Sequence, residues 1–124
     1  MKIKTSELIG DALDWAACLA SKQNYVNRET EYSTDGRRFQ RGTTQPAGPH
    51  LSRDWSKGGP IIEQMRGIKL KSGRNPKAPC YAHIVGYNGV ESWHQTGKTL
   101  LIAAMRCYVA SKLGDEVDVP EELI

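Results

Sequence analysis

Two amphipathic patterns near opposite ends of the chain constrain its fold more than any other feature. Between Ser6 and about Lys22, apolar residues Leu8, Ile9, Ala12, Leu13, Ala16, Leu19 and Ala20 recur every three or four positions, the spacing of one helix face. Asp11 and Asp14 fall on the opposite face, and Trp15 and Cys18 flank the stripe, at the core margin or an interface. From about Thr99 to Leu113 a second stripe runs through Leu101, Ala104, Met105 and Tyr108, widened by Ile102, Val109 and Leu113. A stripe so broad belongs under a sheet or between subunits. Thr5 is the expected cap of the first helix, Thr99 that of the last, and Gly114 after Lys112 the expected stop.

Short alternating runs lie between these helices. Ile3 with its neighbours, Ile68 to Lys71, Tyr81 to Val85 and Val90 to Trp93 read as strands. Ser72-Gly73-Arg74-Asn75-Pro76 and Asn88-Gly89 read as turns. Residues 23–52 are polar and punctuated by Gly, Pro and Asn, so one or two short strands, Tyr25-Val26 and Arg38 to Gln40, are expected there, joined by a mobile loop. Pro60 is expected to open a short middle helix ending near Gly67, because proline's missing N–H matters least at the first helical position. Val117 and Val119 predict a short extended segment inside the acidic tail, 115–124. The expected class is α+β in one domain, 1–124: a small, mainly antiparallel sheet packed with an N-terminal, a C-terminal and a middle helix.

No apolar run approaches the roughly 20 residues that span a bilayer, and Met1-Lys2-Ile3-Lys4-Thr5 leads into the first helix without a secretory apolar segment. A cytoplasmic protein with no membrane partner is expected. Cys18, Cys80 and Cys107 are odd in number and far apart, which fits neither a disulfide framework nor a zinc site. Net charge is +3, yet residues 1–114 hold all 17 basic residues against nine acidic ones, while the last ten positions hold five acidic residues. A basic body favours an anionic ligand or partner; alternatively the tail folds back and neutralises it.

Catalytic signatures are missing. Gly97-Lys98-Thr99 resembles the end of a phosphate loop, but the required earlier glycine is Ser92. His50, His83 and His94 show no metal-ligand spacing, and no acid–base or nucleophile pairing stands out, so neither an enzyme nor a cofactor is expected. The stretch from Arg53 to Glu63 is the most informative. Amides near Ile61, at the expected helix start, would hold an anion, and Gly58 and Gly59 would let it approach the backbone. Arg53, Lys57 and the more distant Arg106 would supply charge. Trp55 is expected first as a core anchor, with stacking on a base as its functional alternative.

Several segments together resemble one family. Met1 to Leu8, Ala12-Leu13-Asp14-Trp15-Ala16, Asp54-Trp55-Ser56-Lys57-Gly58-Gly59-Pro60-Ile61-Ile62-Glu63 and Leu101 to Gly114 are similar to the NinX-like family of lambdoid phages and prophages. That resemblance implies a phage accessory protein in the bacterial cytoplasm and brings no enzymatic role with it. With the residues above, it gives the expectation of a counter-defence protein that sequesters a nucleotide-like anionic signalling molecule, as a homo-oligomer. The alternative is a protein–protein inhibitor or adaptor acting on a host protein. Direct nucleic-acid binding is not expected, because no known module is visible.

Overall fold

The first apolar stripe folds as helix α1, Gly10–Ala20, in a computed structural model that describes residues 1–65, 67–73, 76–77, 79–85 and 91–124. The helix starts later than its spacing predicts. Thr5–Glu7 forms a 3-10 turn and Leu8 and Ile9 are extended. Thr5 is not the cap: its hydroxyl donates to the Gly114 carbonyl at 2.6 Å and its amide to the Asp115 carbonyl at 2.7 Å. A long-range partner has taken the oxygen that a local cap needs.

The last stripe is helix α3, Leu100–Leu113, capped as expected by Thr99, whose hydroxyl accepts from the Ile102 amide at 3.1 Å. Gly114 ends it with φ +93°, a conformation that favours glycine. The broad stripe has a plain cause, since α3 is buried on two sides. Leu101, Ala104, Met105, Tyr108 and Val109 join a core cluster with Leu13, Trp15, Ala16 and Cys18 of α1. Ala103 and Cys107 point instead into a smaller cluster with Cys80, Ala82 and Ile84. Trp15 and Cys18 are therefore core residues, and burial pushes the thiols of Cys18 and Cys107 up, to about 12 and about 11.

The strands form three small antiparallel sheets rather than one, which keeps the α+β class. β1 (Lys2–Lys4) pairs with β7 (Glu116–Asp118), so the acidic tail is built into the fold. Val117, Val119 and Leu123 are buried, Arg38 pairs with Glu122 at 3.0 Å, and the Tyr32 hydroxyl donates to the same carboxylate. The polar segment 23–52 departs most from expectation. It forms a long hairpin of β2 (Tyr25–Tyr32) and β3 (Arg38–Gly48), with Tyr25 and Tyr32 buried. Two buried aromatic anchors seat a hairpin whose other residues are mostly polar.

The third sheet has the order β4 (Lys69–Ser72), β5 (Cys80–Val85), β6 (Ser92–Gly97). Cys80, Ala82 and Ile84 face α3. β6 starts later and ends later than the expected Val90 to Trp93. Asn88-Gly89, Val90 and the Arg74-Asn75 part of the other turn lie outside the described residues. At Gly97 a Cβ would sit 2.8 Å from Ile102 Cγ2 and 2.9 Å from the Ala103 amide. This glycine lets β6 meet the start of α3 and needs no phosphate to explain it. No helix among the described residues is long and apolar enough to cross a membrane.

Candidate functional site

The middle helix α2 spans Trp55–Gln64, which corrects the expectation that Pro60 opens it. Asp54 is the cap. Its carboxylate accepts from the Ser56 amide at 3.0 Å and hydroxyl at 2.7 Å, while its carbonyl accepts from the amides of Lys57 at 3.0 Å and Gly58 at 2.8 Å. The Ser56 hydroxyl, then its amide, hold the Asp54 carboxyl below the usual range. Ile61 and Ile62 lie inside the helix, where amides bond to carbonyls four residues back. The expected seat of free amides is not formed at Pro60, and a carboxylate already sits on the true helix start.

The predicted site residues are not gathered around one point. Ile61 is a core residue. Gly58 is buried, and a Cβ there would lie 2.2 Å from the Leu51 carbonyl oxygen, so its role is close packing. Gly59 faces open space, with nothing within 4 Å of where a Cβ would stand, and Lys57 is exposed. Trp55 is 53% exposed, against the expectation of a core anchor. Arg106 is a tether: its Nε donates to the Leu8 carbonyl at 2.7 Å and its Nη1 to the Thr96 carbonyl at 2.8 Å.

Arg53 belongs to a network that periodicity alone hides. Asp14, assigned by spacing to the solvent face of α1, is fully buried. Its Oδ1 accepts from the Ser52 amide at 2.8 Å and hydroxyl at 2.5 Å. Its Oδ2 accepts from Arg53 Nη2 at 2.7 Å and Nε at 3.1 Å, and lies 3.2 Å from His50 Nδ1. Arg53 Nη2 also donates to Asp11 Oδ1 at 2.8 Å. Burial works against the Arg53 charge, but Asp14 and then Asp11 more than offset it and raise its pKa. An arginine engaged by two carboxylates is a poor receptor for a further anion.

A second cluster occupies the face of the β4–β5–β6 sheet that points away from α3. Register places Lys69 across from His83 and His83 across from His94, with Lys71, Tyr81 and Thr96 forming the next row. His83 and His94 stack with centroids 4.1 Å apart and planes within 11°. Tyr81 lies 5.7 Å from His94, its hydroxyl against Nδ1. Lys69, Lys71 and His94 are exposed, while Tyr81 and His83 are half-buried. Loss of hydration, then His94 and Lys69, hold the His83 pKa below its usual value, so its ring stays neutral near pH 7. Such a face offers π surface, ring nitrogens and two ammonium groups together, a combination suited to planar anions. The strand alternation of Tyr81 and His83 was visible in the sequence, but their pairing with His94 required the register.

A family model described as "Bacteriophage P22, NinX" matches residues 4–112. No curated protein matches the chain.

Proposed function

The chain belongs to the NinX family of bacteriophage P22, and we propose that it is a non-catalytic accessory protein holding a nucleotide-like anion on the open face of its three-stranded sheet. The observation that carries this reading is the ladder Tyr81–His94–His83 flanked by Lys69 and Lys71. Aromatic rings supply stacking for a base, and each stacked base contributes on the order of 1–3 kcal/mol. The lysines supply charge for phosphate. Capture without turnover would take a signalling nucleotide out of circulation, which is the counter-defence role. In place of the seat at α2, this face offers lysines that form no ion pair with a carboxylate among the described residues. It includes a homo-oligomer; a monomer mass by light scattering removes that part.

A thermal-shift screen with cyclic and linear nucleotides tests it. A ligand at 100 times its Kd stabilises a fold by about 2.7 kcal/mol. Tyr81→Ala, His83→Ala and the double change Lys69→Ala/Lys71→Ala should each abolish the shift, and Trp55→Ala should keep it. A shift that survives these changes but disappears with Lys57→Ala or Trp55→Ala would return the ligand to α2. Recovery of a chemically altered nucleotide would overturn the non-catalytic reading.

Exposed Trp55 favours a second reading, in which it anchors a host protein. In that case Trp55→Ala abolishes copurification of a single partner, and no nucleotide moves the melting temperature.

A further inference from the structure

We propose that two copies of this chain join along the free edge of β6, so that two three-stranded sheets continue as one. This surface gives the homo-oligomer of the proposed function its contact, and it rests on that part of the reading alone. In the order β4–β5–β6, β6 is bonded to β5 and has no strand beyond it among the described residues. An edge strand leaves the N–H and C=O of every second residue unpaired, a template for another strand. Two observations identify the outward residues of β6. The rings of His83 and His94 are 4.1 Å apart, the close approach of a cross-strand pair that exchanges no backbone hydrogen bonds. Two positions on, the Thr96 carbonyl accepts from Arg106 Nη1 of α3 at 2.8 Å, outside the ladder. Ser92, His94 and Thr96 therefore turn their backbone groups away from β5.

Sheet edges that stay single are protected by lysine, proline, bulges or short length. β4, the other edge of this sheet, places Lys69 and Lys71 within four residues. The β2–β3 hairpin carries Pro46 and two register shifts, and β1 and β7 have three residues each. β6, Ser92-Trp93-His94-Gln95-Thr96-Gly97, runs for six residues without proline, lysine, arginine or a carboxylate. Arg106 reaches its edge at Thr96, but a carbonyl oxygen has a second lone pair for a partner strand.

The occupant is a second copy because β6 is complementary to itself when two run antiparallel about His94. His94 then lies across from His94 of the second copy, and Ser92 across from its Thr96, so all three outward residues find partners. Just beyond β6, exposed Glu91 comes beside exposed Lys98 of the second copy, once at each end of the ladder. Within one chain these two residues are separated by the length of the strand, roughly 20 Å. Their attraction therefore acts between copies. On the α3 side, half-buried Trp93 meets Gln95 of the second copy and loses further surface to it. On the open face the rings run together: His83 and His94 of one copy continue into His94 and His83 of the other, with a Lys69 at each end. Each copy thus adds rings and charge to the other's binding face.

The test is light scattering of the full chain at high micromolar concentration, together with charge and cysteine variants. A dimer mass is expected. Glu91→Lys and Lys98→Glu should each weaken the dimer several-fold, and the exchange Glu91→Lys/Lys98→Glu should restore it. His94→Cys, at the two-fold axis where Cα atoms come about 5.5 Å apart, should oxidise to a disulfide-linked dimer. Lys71→Cys, also exposed, should not. A monomer mass overturns the proposal. So do single charge changes that leave the dimer as it was, an exchange that brings no rescue, or Lys71→Cys cross-linking as fast as His94→Cys. The thermal-shift screen judges the nucleotide reading separately. A dimer that no nucleotide stabilises keeps this interface and ends the capture reading, while a monomer that a nucleotide stabilises does the reverse.

Discussion

Gly58 and Gly59 are adjacent in the same helix, and replacing each with alanine should move stability in opposite directions. At Gly58 the new methyl would lie 2.2 Å from the Leu51 carbonyl oxygen and 2.7 Å from Leu101 Cδ1. The first of these is backbone, so helix and loop must separate by about an ångström or more, at the upper end of the overpacking range, roughly 3 kcal/mol. Alanine's better helix propensity returns about 1 kcal/mol, leaving a net loss of about 2 kcal/mol. At Gly59 nothing lies within 4 Å, so only the propensity gain of up to about 1 kcal/mol remains. For 124 residues the unfolding entropy near the midpoint is about 0.26 kcal/mol/K. Gly58→Ala should therefore lower Tm by about 8 °C and Gly59→Ala raise it by up to about 4 °C. Scanning calorimetry of the two variants beside the parent chain measures both. If Gly58→Ala melts at or above the parent, or both variants shift the same way, the packing argument for this glycine pair is wrong.

Other outcomes follow from the same geometry. Asp14→Ala removes the acceptor of Ser52 and the main partner of Arg53, and should cost about 3 kcal/mol in urea unfolding; a loss below about 1 kcal/mol would contradict the role given to this network. Thr99→Ala should cost about 1 kcal/mol by removing the cap of α3, read as a drop of about 4 °C. By NMR, His83 should titrate below the usual histidine value and move back up in His94→Ala. Because its folded pKa is depressed, acidification below the unfolded value works against the fold, whereas an anion bound on this face should bind tighter as pH falls; weaker binding on acidification would count against the site.

What the sequence revealed depended on how local the cause was. α3, its Thr99 cap and its Gly114 stop are governed by neighbours within a turn, and all three are where the pattern places them. The start of α1 was not legible, because Thr5 bonds to Gly114, more than a hundred positions away. Pro60 lies in the middle of α2 rather than at its start, although Asp54 with Ser56 two positions later is a cap signal in plain view. Asp14 reads as solvent-facing on any helical wheel, and only its partners in a distant loop make burial tolerable. The hairpin from Tyr25 to Gly48 was underestimated because its pairing rests on backbone bonds and two tyrosines rather than on apolar alternation.

The division of α3 between two unequal apolar clusters has a dynamic consequence. Among the described residues, Cys80, Ala82, Ile84, Ala103 and Cys107 are the buried members of the smaller one, while the larger joins α1, the hairpin tyrosines and the C-terminal residues Val117, Val119 and Leu123. Amides of β4–β6 should therefore exchange with solvent through partial openings that leave α1 and the rest of the protein protected. Their slowing by a bound molecule would register directly in this less firmly anchored layer, making deuterium uptake over these three strands a sensitive gauge of occupancy.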